Sequence, residues 1–274
     1  MKIAVCFKAI ADYGRLSEKD WVWDDRHLVD TSFVRRVFNC FEESALEMAL
    51  KLAGRSQDGP GTAELTALTV DDRRGDLFLK HLSAVGYHRA VRIQCAEGID
   101  LRFNASAISE LIAAYIQREG HQLVLLGRQG GAGDNGQTGF LVAERLGWCC
   151  IREVTAVVRH GSSDRLKVTS RVEGATLVQT VQPPLVLIAG HSPDTPYLRL
   201  PTLRQRLDAK NKPVTLISGT QLGFDTGALI DTGKTLIDLQ RLQANRSCVF
   251  LEGNNAREQA RQLYDRYLKA VFTS

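Results

Sequence analysis

No stretch of this 274-residue sequence approaches the roughly eighteen uninterrupted apolar residues of a membrane-spanning helix, so no span is expected. The opening MKIAVCFKAI holds only a short apolar run before Asp12, with no small-residue cleavage site after it, and reads as part of the folded chain rather than a secretory signal. Cysteine pairing patterns are absent as well. Cys6, Cys40, Cys95, Cys149, Cys150 and Cys248 make no CxxC and no Cys/His spacing suited to zinc; several sit inside apolar runs and read as small buried thiols, and a reducing, cytoplasmic compartment is expected. Nor is charge of one sign in excess: the formal charge is +4, with lysines and arginines interspersed among acids. That disfavours wholesale nucleic-acid binding and leaves room for a local basic patch at most. The six histidines and the acids form no dyad, triad or metal set, so neither a catalytic residue nor a metal ligand is expected.

What the sequence has is alternation. Residues 2 to 10, AELTALTV (63 to 70), RAVRI (89 to 93) and QLVLLG (122 to 127) have strand length and composition. Between them, Asn39 to Glu42 reads as a helix N-cap with an acid three residues on, leading to Ala45, Leu46, Ala49, Leu50 and Ala53 on one face. From Ile99 and Asp100 a second helix leads to Phe103, Ala107, Ile108, Leu111, Ile112, Tyr115 and Ile116 in one apolar stripe. Strands alternating with helices need crossover connections, hence a parallel sheet covered on both faces. The expected class is α/β, with a parallel-sheet nucleotide-binding core inside residues 1 to 191.

After residue 150 the grammar changes. TAVVRH, LKVTSRV and VQTVQPPLVLIAG are strands with no helix room between them, expected to pair as antiparallel hairpins, with Pro183 and Pro184 at a strand start. Residues 192 to 213 carry Pro, Arg and Lys with little apolar periodicity and read as an exposed loop. Residues 214 to 274 read as a C-terminal arm, weakly patterned to 246. Its terminal helix sets Ala256, Ala260, Leu263, Tyr267 and Val271 on one face. Such an arm docks either on a partner chain or back onto its own core.

The most informative stretch runs from Leu123 to Trp148. A strand ends at Gly127, a polar glycine-rich loop follows, and a helix starts near Gly136. A loop that opens a helix at the carboxyl end of a parallel strand directs free N–H groups and the positive helix end outward, which suits a phosphate. Gly130, Gly131 and Gly133 permit close backbone approach to an anion, and Asn135, Gln137 and Thr138 add donors. Neither the GxGxxG nor the GxxxxGK[ST] fingerprint is present. On spacing alone, a surface loop with Gly136 as a helix cap stays open as the other reading.

The run G-R-Q-G-G-A-G-D-N-G-Q-T-G, Gly127 to Gly139, resembles the adenine-nucleotide loop of electron transfer flavoprotein beta subunits, G-[KR]-Q-A-I-D-x-D-x-x-Q-[TV]-G. The resemblance extends along the chain: V-C-F-K-A-I-A-D is similar to the family's V-C-V-K-Q-V-P-D, and N-C-F-E-E-x-A-L-E-x-A-L to N-P-F-D-E-x-A-L-E-E-A-L. It implies an adenine nucleotide alpha hydrolase-like core whose nucleotide contacts fall on Cys6, on Asn39, Cys40, Phe41 and Glu42, on Val70, and on Gly127, Arg128, Gln129, Gly130, Gly131, Ala132, Gly133, Asp134, Asn135, Gly136, Gln137 and Thr138. It also implies that Tyr13 and Phe41 face the FAD of an alpha subunit. Arg199 to Pro213 resembles the family's recognition loop, R-Y-P-S-L-R-G-I-M-K-A-K-K-K-P, so Leu203, with Arg204, Lys210 and Lys212, would engage a flavin-dependent dehydrogenase.

Departures accompany the match. The family's R-E-x-D-G-G appears as Ser170-Arg-Val-Glu-Gly-Ala175, Asp208 and Asn211 dilute the lysine cluster, and Gly131 and Ala132 replace the usual Ile-Asp. By this resemblance the chain is a divergent beta subunit that binds AMP, pairs with a FAD-holding alpha subunit and carries electrons without catalytic residues of its own. Two alternatives stand: a bifurcating or Fix-type subunit with a second FAD in the AMP position, and a stand-alone adenine-nucleotide sensor of the universal-stress kind.

Overall fold

The computed structural model describes residues 1–24, 28–54, 63–94, 101, 103–130, 136–161, 164–224, 236–240 and 247–272. The chain divides into two compact units, 1–237 and 238–274.

Within the first unit, β1 (Lys2–Cys6), β2 (Ala9–Ala11) and β3 (Arg36–Phe38) precede α1 (Cys40–Ala53). Next come β4 (Glu64–Val70), α2 (Asp76–Val85), β5 (Arg89–Gln94), α3 (Ala105–Glu119), β6 (Leu123–Gly127) and α4 (Thr138–Leu146). The chain continues through β7 (Cys149–Arg159), β8 (Leu166–Val172), β9 (Ala175–Val181), β10 (Leu185–Ala189), α5 (Leu203–Lys210) and β11 (Thr215–Ser218). Among the described residues, nine strands form one sheet in the order β11-β5-β4-β1-β6-β10-β7-β8-β9, and β2 pairs with β3 apart from it. Every pairing from β11 to β7 is parallel; β7-β8 and β8-β9 are antiparallel.

Alternation along the central strands explains why they are apolar throughout. Ile3, Val5, Leu65, Ala67, Leu123 and Leu125 pack with Leu46 and Ala49 of α1 and with Leu79 and Leu82 of α2. Their neighbours Ala4, Cys6, Leu68, Val124 and Leu126 pack on the opposite side with Leu111 and Tyr115 of α3 and Val142 of α4. A strand buried on both faces has no polar side to show, which is the signature of a parallel sheet.

Several expectations change. Residues 2 to 10 form two strands rather than one, since the chain leaves the large sheet after Cys6. The segment VQTVQPPLVLIAG, 178 to 190, splits: its start belongs to β9, which closes the antiparallel edge, whereas β10 returns to lie parallel between β6 and β7. Five consecutive fully buried residues in β10, LVLIA, are what sends it inward, because only the sheet centre covers both faces. The segment 192 to 213 is not simply an exposed loop. Ser192 is buried, its hydroxyl donating to the Thr155 carbonyl at 2.6 Å, and Leu198 joins the core. Arg199 grips Glu47 of α1 through its main-chain N–H and its guanidinium, at 2.6 to 3.1 Å. Thr202 and Gln205 form a capping box that starts α5. Residues 215 to 218, read as part of an arm, supply the edge strand β11. That strand is short and only Ile217 is buried, too little pattern for a sequence to declare.

The second unit contains α6 (Ala256–Leu263), a π turn (Tyr264–Leu268) and α7 (Lys269–Phe272). Asn255 caps α6 by accepting from the Glu258 N–H at 3.0 Å. No side chain of these helices is buried; Leu263, Tyr264, Tyr267, Val271 and Phe272 are exposed.

Candidate functional site

From β1 the chain steps one way to β4 and β5, then comes back to place β6 and β10 on the other side of β1. The order therefore reverses between β1 and β6, and in open α/β sheets ligands bind outside the carboxyl ends of the strands at such a point. The strands that flank it end in Cys6 and Gly127.

The floor of this crevice is made by the start of α1. Asn39 Oδ1 accepts the N–H groups of Phe41 and Glu42 at 3.0 and 2.9 Å, while its Nδ2 donates to the Gln129 carbonyl at 2.8 Å. One side chain thus caps a helix and holds the head of the glycine loop. The capping box read from the sequence does not form with Glu42. Its carboxylate instead accepts the Gly127 N–H at 3.1 Å and the Lys8 N–H, bridging the ends of β6 and β1. Glu42 is 6% exposed, and burial pushes its carboxyl up to about 7, against the opposing pull of those two N–H groups and the Lys8 charge. Gly127 is obligatory here, since a Cβ would lie 2.8 Å from Glu42 Cδ and 3.0 Å from its backbone nitrogen. Lys8 lies along the head of the loop, 3.4 Å from where a Cβ on Gly130 would stand.

Arg128 lies over the Phe41 ring at 4.5 Å and pairs with Glu153 at 3.0 Å. Glu153 sits at φ +53°, where the β7-β10 register shifts. A non-glycine residue held in the left-handed region inside a β-bulge, next to the switch point, is a local strain that surrounding contacts must enforce. Gly190, at the end of β10, makes room for it: a Cβ there would meet Glu153 Oε2 at 2.7 Å.

The helix that follows the glycine loop begins at Thr138, with Gln137 as N-cap and no capping side-chain bond. Gly136 takes φ +61° just before it. Gly139 lets α4 lie close on β10, because a Cβ would be 2.7 Å from Ile188. An α-helix start without a side-chain cap, at the switch point and with a lysine beside the loop, offers N–H groups and positive charge to a phosphate.

The structure thus brings together Cys6, Asn39, Cys40, Phe41, Glu42, Gly127, Arg128, Gln129 and Gly130 around the switch point, with Gly136, Gln137 and Thr138 at the α4 entry. Gly131, Ala132, Gly133, Asp134 and Asn135 lie outside the described residues. Val70 ends β4, on the same sheet edge beside β1. Cys6 is buried and its thiol is pushed up by burial and by the Glu42 charge, so it stays protonated. The expectation of buried cysteines fails elsewhere: Cys40, Cys149 and Cys248 are exposed, because they fall at a helix start, a strand start and outside the first unit. Tyr13 stacks on Trp21 at 6.1 Å, while Phe41 receives Arg128. Leu203 opens α5 and is 74% exposed, with Leu200 and Leu207 also exposed and Arg204 and Lys210 exposed on the same helix. Lys212 is committed inward, donating to the Ser83 carbonyl at 3.1 Å. Sequence reasoning passed over Lys8, Glu153 and the Glu47–Arg199 clasp. A charged residue two positions past a buried strand was a usable signal for Lys8; a φ value has none.

With this geometry in hand, comparison places the chain among known proteins. A family model described as the electron transfer flavoprotein domain matches residues 28–221. The putative electron transfer flavoprotein subunit YgcR of Escherichia coli is 30% identical over 273 residues, covering 98% of each chain. The electron transfer flavoprotein subunit beta of Bradyrhizobium diazoefficiens is 26% identical, covering 86% of this chain and 88% of its own. The human electron transfer flavoprotein subunit beta is 27% identical, covering 82% and 84%.

Proposed function

The chain belongs to the electron transfer flavoprotein family, as a divergent beta subunit, and from that premise we propose that it binds an adenine nucleotide at the β1/β6 switch point and pairs with a FAD-holding alpha subunit. The observation that carries the reading is the double clamp on the loop head: Asn39 on the Gln129 carbonyl and Glu42 on the Gly127 N–H. Two side chains from one helix start fix the strand exit from both sides, the pre-organisation that phosphate recognition by backbone N–H groups needs. AMP is the proposed occupant. A second FAD presents the same adenosine phosphate to the same groups.

The FAD of the alpha subunit would supply the redox chemistry. In this chain, Phe41 and Tyr13 would wall its pocket. Among the residues proposed here, none acts as acid, base or nucleophile, and the electrons pass between bound flavins. Leu203, flanked by Arg204 and Lys210, would dock a flavin-dependent dehydrogenase, with an apolar anchor for contact and cations for steering. The exposed face of the terminal helix would dock on the alpha subunit. Co-expression with an alpha subunit, followed by denaturation and quantification of released nucleotides, tests this. One FAD and one AMP per complex is the expected result, and two FAD identify the Fix-type variant. A colourless chain without nucleotide would refute the reading.

A further inference from the structure

A buried carboxylate at the strand ends where a phosphate is proposed to bind presents an electrostatic conflict. Glu42 lies within the α1 start and bridges the two strand ends that form the crevice. The Gly127 N–H, at 3.1 Å, and the Lys8 N–H hold it there, in space that only a residue without a Cβ at position 127 leaves open. The loop that it supports is the one proposed to hold the nucleotide, so this inference rests on that reading.

The groups facing Glu42 are few. From β1 come Lys8, whose charge and N–H act on the carboxylate, and the Cys6 thiol, which stays protonated. From the end of β6 comes the Gly127 N–H, and Arg128 beyond it is engaged by Phe41 and by Glu153 of β7. From β10 come Ala189 and Gly190, which carry no ionisable side chain. At the end of β4, Asp71 is held by Arg36 at 2.6 Å. On its own helix, Glu43 and Glu47 are the neighbouring acids, and Glu47 is neutralised by Arg199. Lys8 is therefore the cation shared between Glu42 and whatever anion enters the crevice.

We propose that Glu42 is a positioning residue whose carboxyl takes up a proton when a nucleotide phosphate binds, releasing the Lys8 charge to the phosphate. Two negative charges sharing one lysine in a poorly solvated site repel, and the buried one is relieved by protonation from solvent. The proton enters from bulk water and adds to the carboxylate; no bond of the nucleotide changes. The neutral acid keeps its other oxygen as acceptor for the Gly127 N–H, so the loop head stays in place.

The test is calorimetric titration of AMP into the full chain, freed of co-purified nucleotide, at pH 8 in two buffers of different ionisation enthalpy. At that pH the AMP phosphate, with a second pKa of about 6, is already a dianion and does not contribute. With Glu42 raised to about 7 in the free chain, its carboxyl is mostly ionised at pH 8, so AMP binding should draw a measurable fraction of a proton from the buffer. In Glu42→Gln, whose side-chain oxygen can still accept the Gly127 N–H, AMP binding should show no buffer dependence. Between pH 7 and 8, where AMP stays a dianion, its affinity should lose the fall with rising pH that the natural chain shows. AMP binding by the natural chain with no proton uptake overturns the coupling and leaves the nucleotide site standing. Uptake that persists in Glu42→Gln assigns the proton elsewhere and overturns it too. Binding of neither AMP nor FAD sinks the nucleotide reading, and this inference with it.

Discussion

The two ends of the large sheet obey opposite rules. At its centre, around β1, β6 and β10, each strand is covered on both faces and each loop exit is held by named side chains. At its antiparallel end, β9 is exposed along nearly its whole length, and Val158, Leu177 and Val178 show large apolar surfaces. The same sheet therefore contains a region whose geometry is over-determined and one that its own chain hardly constrains. Precision is concentrated where a small ligand would have to be held, and the wing leaves a surface with none of the charged edge residues that protect free strands.

The sharpest way to break the comparison is Gly127→Ala. The added Cβ would stand 2.8 Å from Glu42 Cδ and 3.0 Å from the Glu42 nitrogen, and a backbone atom cannot rotate aside. About 3 kcal/mol of lost stability is expected from urea unfolding, together with loss of nucleotide binding. Gly139→Ala clashes with the Ile188 side chain rather than with backbone and should cost less, about 1 to 2 kcal/mol. A Gly127 variant as stable as the natural chain would show that the crevice is looser than its packing implies.

The pH dependence sharpens the contrast between the carboxyl and amino edges of the sheet. Glu42 is raised from 4.5 to about 7, so the folded chain holds that proton more tightly than the unfolded chain. Its stabilising contribution is complete below pH 4.5 and is lost as pH rises through 7, by at most about 3 kcal/mol. His121, beside the amino end of β6, works in the opposite sense. Burial, then the charges of Arg89 and Lys2, push it down to about 4, so its contribution is present above 6.5 and lost as pH falls through 4. The melting-temperature difference between Glu42→Gln and the natural chain should therefore widen in favour of the variant from pH 5 to pH 8. A difference independent of pH would place the Glu42 carboxyl outside that window.

The same contrast governs what was legible in the sequence. Continuous apolar strands and helix stripes declared β4, β5, β6, α1 and α3, because burial on both faces leaves no freedom in residue choice. The Asn39 cap was legible for the same reason: its two bonds to N–H groups are local. What the cap residue holds 90 positions away, the Gln129 carbonyl, was not. Glu42 satisfied a local helix-start pattern and served a long-range one, which no spacing rule distinguishes. The inward path of β10 and the edge strand β11 depend on which neighbours remain unpaired once the sheet is assembled, and that is a property of the whole chain. Of residues 131–135 only Asp134 matches the family's motif, and all five lie outside the described residues, so the site is defined by its clamps at Gly127 and Gln129.

The smallest expected effect falls on the wing. Val178 is half exposed on the edge strand and sits opposite Thr169. Val178→Thr keeps the β-branched shape, so it should change the stability of the chain by less than about 0.5 kcal/mol in urea unfolding. Leu177→Lys, opposite the buried Ser170, should behave similarly while adding to a bare edge the charge that discourages strand-to-strand association. Light scattering of the two variants against the natural chain over a concentration series separates these effects: Leu177→Lys should reduce self-association and Val178→Thr should leave it unchanged. A destabilisation comparable to that of Gly127→Ala would mean that the wing is packed in solution as tightly as the centre, and the division drawn between the two regions would not hold.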